Sequence, residues 1–138
     1  MLANLHEKPL DDPHWIHEIK WDGYRAIAET GKEGVRLYSR NGLSFAKLYP
    51  KIIEALEQIK QEAVLDGEIV AMDKNNRPSF QKLQQYAENS SWHLFYYVFD
   101  CLSYKGKDIT GLPLLERKKI IKQIIPEDSI VKYADPFT

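Results

Sequence analysis

His14-Trp15-Ile16-His17-Glu18-Ile19-Lys20-Trp21-Asp22-Gly23-Tyr24-Arg25-Ala26-Ile27-Ala28-Glu29-Thr30 reads as two runs rich in aromatic and branched residues, joined by Asp22-Gly23, a dipeptide typical of a two-residue hairpin turn. In such a hairpin Trp21 pairs with Tyr24, and Lys20 lies across from Arg25. Like charges opposed across strands are destabilising. Here they would favour the neutral Lys20 amine and turn two donors toward an anion. A lysine amine becomes a useful nucleophile when it is desolvated or set beside another cation. Six residues, Lys20 to Arg25, therefore hold a candidate nucleophile, a carboxylate, a glycine and a second cation. A solvated polar hairpin tip fits the same residue types, and those types alone leave both readings open.

Working outward, Gly31-Lys32-Glu33-Gly34 turns the chain into Val35–Arg40, which predicts a three-stranded meander with the two runs before it. Pro9, Asp11, Asp12 and Pro13 make residues 1–13 an extended lead-in. Asn41-Gly42 is a second turn signal and leaves Ser39 and Arg40 at a strand end, where side chains can reach a ligand. From Ser44 the period changes. Leu48, Ile52, Ala55, Leu56 and Ile59 recur at helical spacing, and Pro50 lies in the first turn or delays the start.

Ala63–Met72 predicts a mostly buried strand interrupted by Asp66-Gly67-Glu68. Two carboxylates in an apolar run are costly unless they are paired or bind something. Glu68 is weighed toward binding, Asp66 evenly. Asp73–Pro78 reads as a loop and Ser79–Glu88 as a short helix with Phe80, Leu83 and Tyr86 inward. Trp92–Leu102 is apolar on both faces, as in a central strand, with Phe99-Asp100 ending it. Phe99 is a core residue or a platform for a base. Tyr104–Pro113 reads as a loop. Leu114–Ile125 reads as a helix whose Leu114, Leu115, Ile120, Ile121, Ile124 and Ile125 line one side, with Glu116–Lys119 solvated. Pro126 stops it, and Ser129–Ala134 begins another strand.

The 138 residues, 43% hydrophobic, suffice for one domain with a real core. A net charge of −1 gives no general basic field, so any nucleic-acid binding must come from a local patch. One cysteine, Cys101, excludes an internal disulfide framework and fits a reducing compartment, and the four histidines show no zinc spacing. No export signal or membrane span is legible, which predicts a soluble, cytoplasmic protein without a membrane partner.

In order, Lys20-Trp21-Asp22-Gly23-Tyr24-Arg25, Ser39-Arg40-Asn41-Gly42, Leu65-Asp66-Gly67-Glu68 and Tyr97-Val98-Phe99-Asp100 resemble the successive motifs of the ATP-dependent DNA ligase adenylation domain, a covalent nucleotidyltransferase. The run from Trp15 to Arg25 and the stretch Pro113-Leu114-Leu115-Glu116-Arg117-Lys118 resemble most the ligase module of the DNA ligase D group. The resemblance implies an α+β, ATP-grasp-like nucleotidyltransferase domain of mainly antiparallel sheets with packed helices. It implies that Lys20 attacks the α-phosphate of ATP, carries AMP and passes it to a 5′-phosphate in nicked double-stranded DNA, in repair by end joining. By the same resemblance Glu18 reads the adenine amino group, Ile19 lines the nucleotide, Arg25 and Glu68 hold the ribose, Phe99 stacks on adenine, and Ser39 and Arg40 meet phosphate or DNA. Asp22 and Glu68 are expected near a Mg²⁺ or Mn²⁺ ion. A Glu-Gly motif, a Lys-x-Lys motif and an oligonucleotide-binding-fold domain would lie beyond Thr138. Residues 1–138 are thus expected to be the N-terminal portion of an adenylation domain, truncated before its C-terminal motifs and completed by a second chain or the rest of the ligase. In a bacterium or archaeon it would be nucleoid-associated. An RNA ligase or capping enzyme is the alternative, which Glu18 and the ligase-like flanks oppose. A non-catalytic nucleotide- or DNA-binding fragment is another.

Overall fold

The computed structural model describes residues 23–72, 75, 79, 83 and 93–134. β1 (Tyr24–Thr30) alternates strictly. Ala26, Ala28 and Thr30 turn into the core, while Arg25, Ile27 and Glu29 turn to the opposite face. It pairs antiparallel with β2 (Arg36–Tyr38) on one side and with β3 (Ala63–Met72) on the other. The described neighbour that follows β1 throughout is β3, from Tyr24 opposite Ile69 to Thr30 opposite Ala63. The residue across from Arg25 on β3 is therefore Glu68, of opposite sign. The run His14–Trp21 and the expected hairpin lie outside the described residues.

β3 is a single strand. Asp66-Gly67-Glu68 interrupts its composition without breaking its hydrogen bonding. β4 (His93–Tyr104) is the central strand expected, but it does not end at Phe99-Asp100. Its register with β3 steps from Val98 opposite Gly67 to Asp100 opposite Asp66, and from Cys101 opposite Leu65 to Ser103 opposite Val64. Phe99 and Leu102 are thus extra residues, absorbed as bulges that let the strand run on and bend. Lys105 and Gly106 then turn the chain into β5 (Lys107–Asp108), where a plain loop was expected. β6 (Val131–Tyr133) pairs parallel with β4 over Tyr96–Val98. The sheet order is β2-β1-β3-β4-β5, with β6 on β4.

α1 (Pro50–Leu56) carries Pro50 in its first turn, where the missing N–H costs nothing. Ile52, Leu56 and Ile59 are buried as their spacing predicts, but Leu48 is 57% exposed. Phe45 and Tyr49 cover the core in its place. α2 (Leu114–Ile124) buries Ile121 and Ile124, joining β1, β3, β4 and α1 in one apolar cluster. Lys118 is 1% exposed and Leu115 54% exposed, so the run Glu116–Lys119 is not a solvated face throughout. Lys118, Ile121 and Ile124 are spaced by three, the period of one helical stripe. Leu83 is helical and buried; Phe80, Tyr86 and the rest of the expected 79–88 helix fall outside the described residues, apart from Ser79. Among the described residues no helix is long and apolar enough to cross a membrane.

Candidate functional site

The face of the sheet opposite α1 brings side chains from three strands together. Arg25 on β1 reaches Asp66 on β3 through two donors, Nε to Oδ1 at 3.1 Å and Nη2 to Oδ2 at 2.6 Å. Asp66 is 2% exposed, and this planar fork is what permits a carboxylate there. Arg25 also stacks on Phe99 of β4, its guanidinium carbon 5.4 Å from the ring centroid. The hydrogen bond that Arg25 donates to Asp66 raises the Arg25 pKa against the opposing pull of burial, with Asp66, Glu68 and Asp100 adding electrostatic support. The Arg25 charge is therefore compensated where it stands, by Asp66 with Glu68 opposite.

Two glycines set this arrangement. A Cβ on Gly23 would lie 2.0 Å from the Ile69 carbonyl oxygen, and one on Gly67 would lie 2.3 Å from the Tyr97 carbonyl oxygen. Each marks a place where the chain is pressed onto a neighbouring strand's backbone, and at Gly67 charged residues lie on either side. The buried Tyr96 hydroxyl donates to the Ala26 carbonyl at 2.8 Å and ties β1 to β4 beneath the site.

From the far side α2 holds the same segment of β4. Lys118 Nζ donates to the Phe99 carbonyl at 2.7 Å, and Arg117 Nε lies 3.1 Å from Asp100 Oδ1. The Cys101 N–H also donates to Asp100 Oδ1, at 2.8 Å. Burial raises the Asp100 pKa, outweighing the lowering by Arg117 and by that backbone donor. Neither cation of α2 was singled out from the sequence. The available signal was Lys118 on the stripe of Ile121 and Ile124.

Arg25, Glu68 and Phe99 are thus brought together, with Asp66 as the member whose role the sequence left even. Ser39 lies in the turn after β2, its hydroxyl accepting from the Leu43 N–H at 3.1 Å. Arg40 is exposed on that turn and makes no ion pair among the described residues. Glu18, Ile19, Lys20 and Asp22 lie outside the described residues. No group of three metal-ligating side chains converges among the described residues. Lys105-Gly106-Lys107 does spell Lys-x-Lys, but it forms the β4–β5 turn.

The model of the ATP dependent DNA ligase domain family matches residues 1–137. The chain belongs to this family. It is 34% identical over 126 residues to the multifunctional non-homologous end joining protein LigD of Pseudomonas aeruginosa, covering 90% of this chain and 15% of that one. To the bifunctional end joining protein LigD of Bacillus subtilis it is 32% identical, covering 99% and 25%. Among solved structures, the ligase domain of Mycobacterium tuberculosis LigD superposes with a TM-score of 0.78 at 28% identity, covering 90% of this chain and 41% of that one. A mycobacterial DNA ligase D complexed with ATP and MES superposes with a TM-score of 0.75 at 27% identity, covering 89% and 40%. The expected α+β nucleotidyltransferase fold and the likeness to the ligase D group are borne out. The chain spans a quarter or less of the length of these curated relatives.

Proposed function

We propose that this chain is the adenylation module of an ATP-dependent DNA ligase acting in end joining, and that it forms the N-terminal portion of that module. The neutral Lys20 amine forms a P–N bond to the α-phosphorus of ATP as the bond to the β-phosphate oxygen breaks and pyrophosphate leaves. A 5′-phosphate oxygen at a DNA nick then displaces the lysine, and the 3′-hydroxyl displaces AMP, closing the strand. Glu18 would read the adenine amino group, Ile19 would line the nucleotide, and Phe99 would stack on the base. Arg25 and Glu68 would hold the ribose, and Ser39 with exposed Arg40 would meet phosphate or DNA.

The observation that carries this reading is the joining of Arg25, Asp66, Glu68 and Phe99 on one face, directly after Gly23 is pressed onto β3. That contact seats the start of β1 on Ile69, so that Arg25 follows opposite Glu68. A mycobacterial neighbour is described as complexed with ATP, which agrees. Glu68 would give one oxygen ligand, joined by Asp22 and the nucleotide's own phosphates. Mg²⁺ or Mn²⁺ bound in this way would neutralise triphosphate charge. We further propose that residues beyond these 138, from the same polypeptide or a second one, complete the covalent step, and that the protein works in the cytoplasm on chromosomal DNA.

The test is incubation with α-labelled ATP and Mg²⁺, alone and with the remaining portion of a ligase domain added, for the wild type beside Lys20→Ala. Label on the wild type and none on Lys20→Ala is expected once the site is complete. Label retained on Lys20→Ala overturns the reading. Glu68→Ala is expected to weaken ATP binding while leaving the melting temperature within a few degrees, roughly 1 kcal/mol or less of stability. The converse pattern would make Glu68 a structural residue.

A further inference from the structure

One edge of β4 is covered in three different ways. β6 pairs with Tyr96–Val98 and ends there, the Ala134 N–H closing on the Val98 carbonyl at 2.9 Å. Pairing with β5 begins at Ser103, preceded by the Ile109 N–H donating to the Leu102 carbonyl at 3.0 Å. Between them lie Phe99, Asp100 and Cys101, at the bulge where Phe99 has no opposite residue on β3. A strand that lacks a neighbour on one edge exposes carbonyls that must find other donors. Here a side chain takes the place of a strand. Lys118, 1% exposed on the apolar stripe of α2, directs its ammonium to the Phe99 carbonyl at 2.7 Å, and Arg117 pairs with Asp100 at 3.1 Å. The Lys118 ammonium also lies 5.9 Å from the ring centroid of Tyr133 on β6, which ties the end of β6 to the same point.

We propose that Lys118 is a positioning residue for nucleotide binding: by holding the Phe99 carbonyl at the bulge it fixes the direction in which the Phe99 ring leaves the strand. The inference rests on the reading of Phe99 as the adenine platform. A bulged residue is held by fewer ladder bonds than its neighbours, so its side-chain direction is the one most readily changed. A buried lysine on an otherwise apolar stripe is costly unless its charge is engaged, and a methionine would fill the same space without that cost. The cation does what methionine cannot, which is to donate to that carbonyl. Arg117 acts on the next residue in the same sense, fixing Asp100 from the same helix.

The experiment is a double-mutant cycle on the whole chain, read as ATP affinity together with melting temperature, using Lys118→Met, Phe99→Ala and the pair. Lys118→Met keeps the volume and removes the donor. It is expected to weaken ATP binding about five- to tenfold, an effect of the size of one ordinary hydrogen bond. It should weaken binding little further once Phe99 is already alanine. Lys118→Arg, which retains a cationic donor, is expected to recover most of the affinity. A Lys118→Met penalty of equal size with and without the Phe99 ring overturns the inference, because the lysine would then act on stability or on another contact. If Lys118→Met does not fold, Arg117→Lys provides the cycle, with the same expected loss of additivity and the same overturning result. Phe99→Ala with unchanged ATP affinity removes the platform reading itself and the inference with it, and so is distinct from a failure of Lys118 alone.

Discussion

Gly67→Ala tests whether the site depends on strands pressed together at a glycine. The new Cβ would lie 2.3 Å from the Tyr97 carbonyl oxygen and 2.9 Å from Tyr96 Cε1, whereas ordinary contact begins at 3.4 Å. The first neighbour is backbone and cannot swing aside, so β3 and β4 must part by about 1 Å at that point, an overpacking of the kind that costs up to about 3 kcal/mol and sometimes more. Parting them also stretches the ladder bonds on either side and disturbs Tyr96, whose hydroxyl ties down Ala26. For a domain of this size, a loss of about 3 kcal/mol lowers the melting temperature by roughly 10 °C or more. Gly111→Ala is the control: a Cβ there meets nothing within 4 Å, and its effect should fall within about 1 kcal/mol, on the stabilising side if the unfolded chain dominates. Urea and thermal unfolding followed by circular dichroism measure both. If Gly67→Ala unfolds within about 0.5 kcal/mol of the parent, close to the spread of ordinary surface substitutions, the close approach is not a structural requirement and the account of the glycines fails.

Two further expectations follow from buried titratable groups. Cys101 is fully buried, and burial pushes its thiol up to about 11; at pH 8 only about one molecule in a thousand would carry the thiolate, so an aromatic disulfide reagent should react at the rate of unfolding, and rapid labelling in native buffer would show that β4 opens locally. Burial also raises the Asp100 pKa above its ordinary 3.8. The folded state then holds that proton more tightly than the unfolded one, so the stability it contributes is complete below the unfolded pKa and is lost as pH rises through the folded value. Relative to Asp100→Asn, the wild type should therefore lose stability in urea unfolding as pH rises from the ordinary carboxylate range toward neutrality, and a gain over that interval would contradict the assignment.

What the sequence made legible was periodic or motif-bearing. The run of aromatic and branched residues at Tyr24–Thr30, helical spacing at Ile52, Leu56 and Ile59, and the apolar run at β4 each marked an element, and each held. The misreadings share a cause. Phe99-Asp100 looked like a strand end because a bulge is a property of two strands in register, and neither strand shows it alone. Lys118 was assigned to solvent because its partner, a carbonyl on β4, leaves no mark on the sequence. The pairing of Arg25 with Asp66 spans 41 residues and depends on which strand lies beside β1, which local pattern does not encode.

The same limit explains how an Asp-Gly pair can mislead. As a local signal it marks a turn, and Asp22-Gly23 was read that way. Asp66-Gly67 has the same letters and lies in the middle of a ten-residue strand. The glycine there makes room for the neighbouring carbonyl, while the aspartate, 2% exposed, is held by an arginine from the next strand. Gly23 meets β3 at a still shorter distance than Gly67 meets β4. One requirement, backbone approach without a Cβ, therefore accounts for both glycines. It also explains why charged residues flank Gly67: where two strands are closest, side chains on the open face converge, and opposite charges such as Arg25 and Asp66 can meet in a geometry that compensates their burial. On this reading Gly23 and Gly67 mark where the sheet is pinched to build the site.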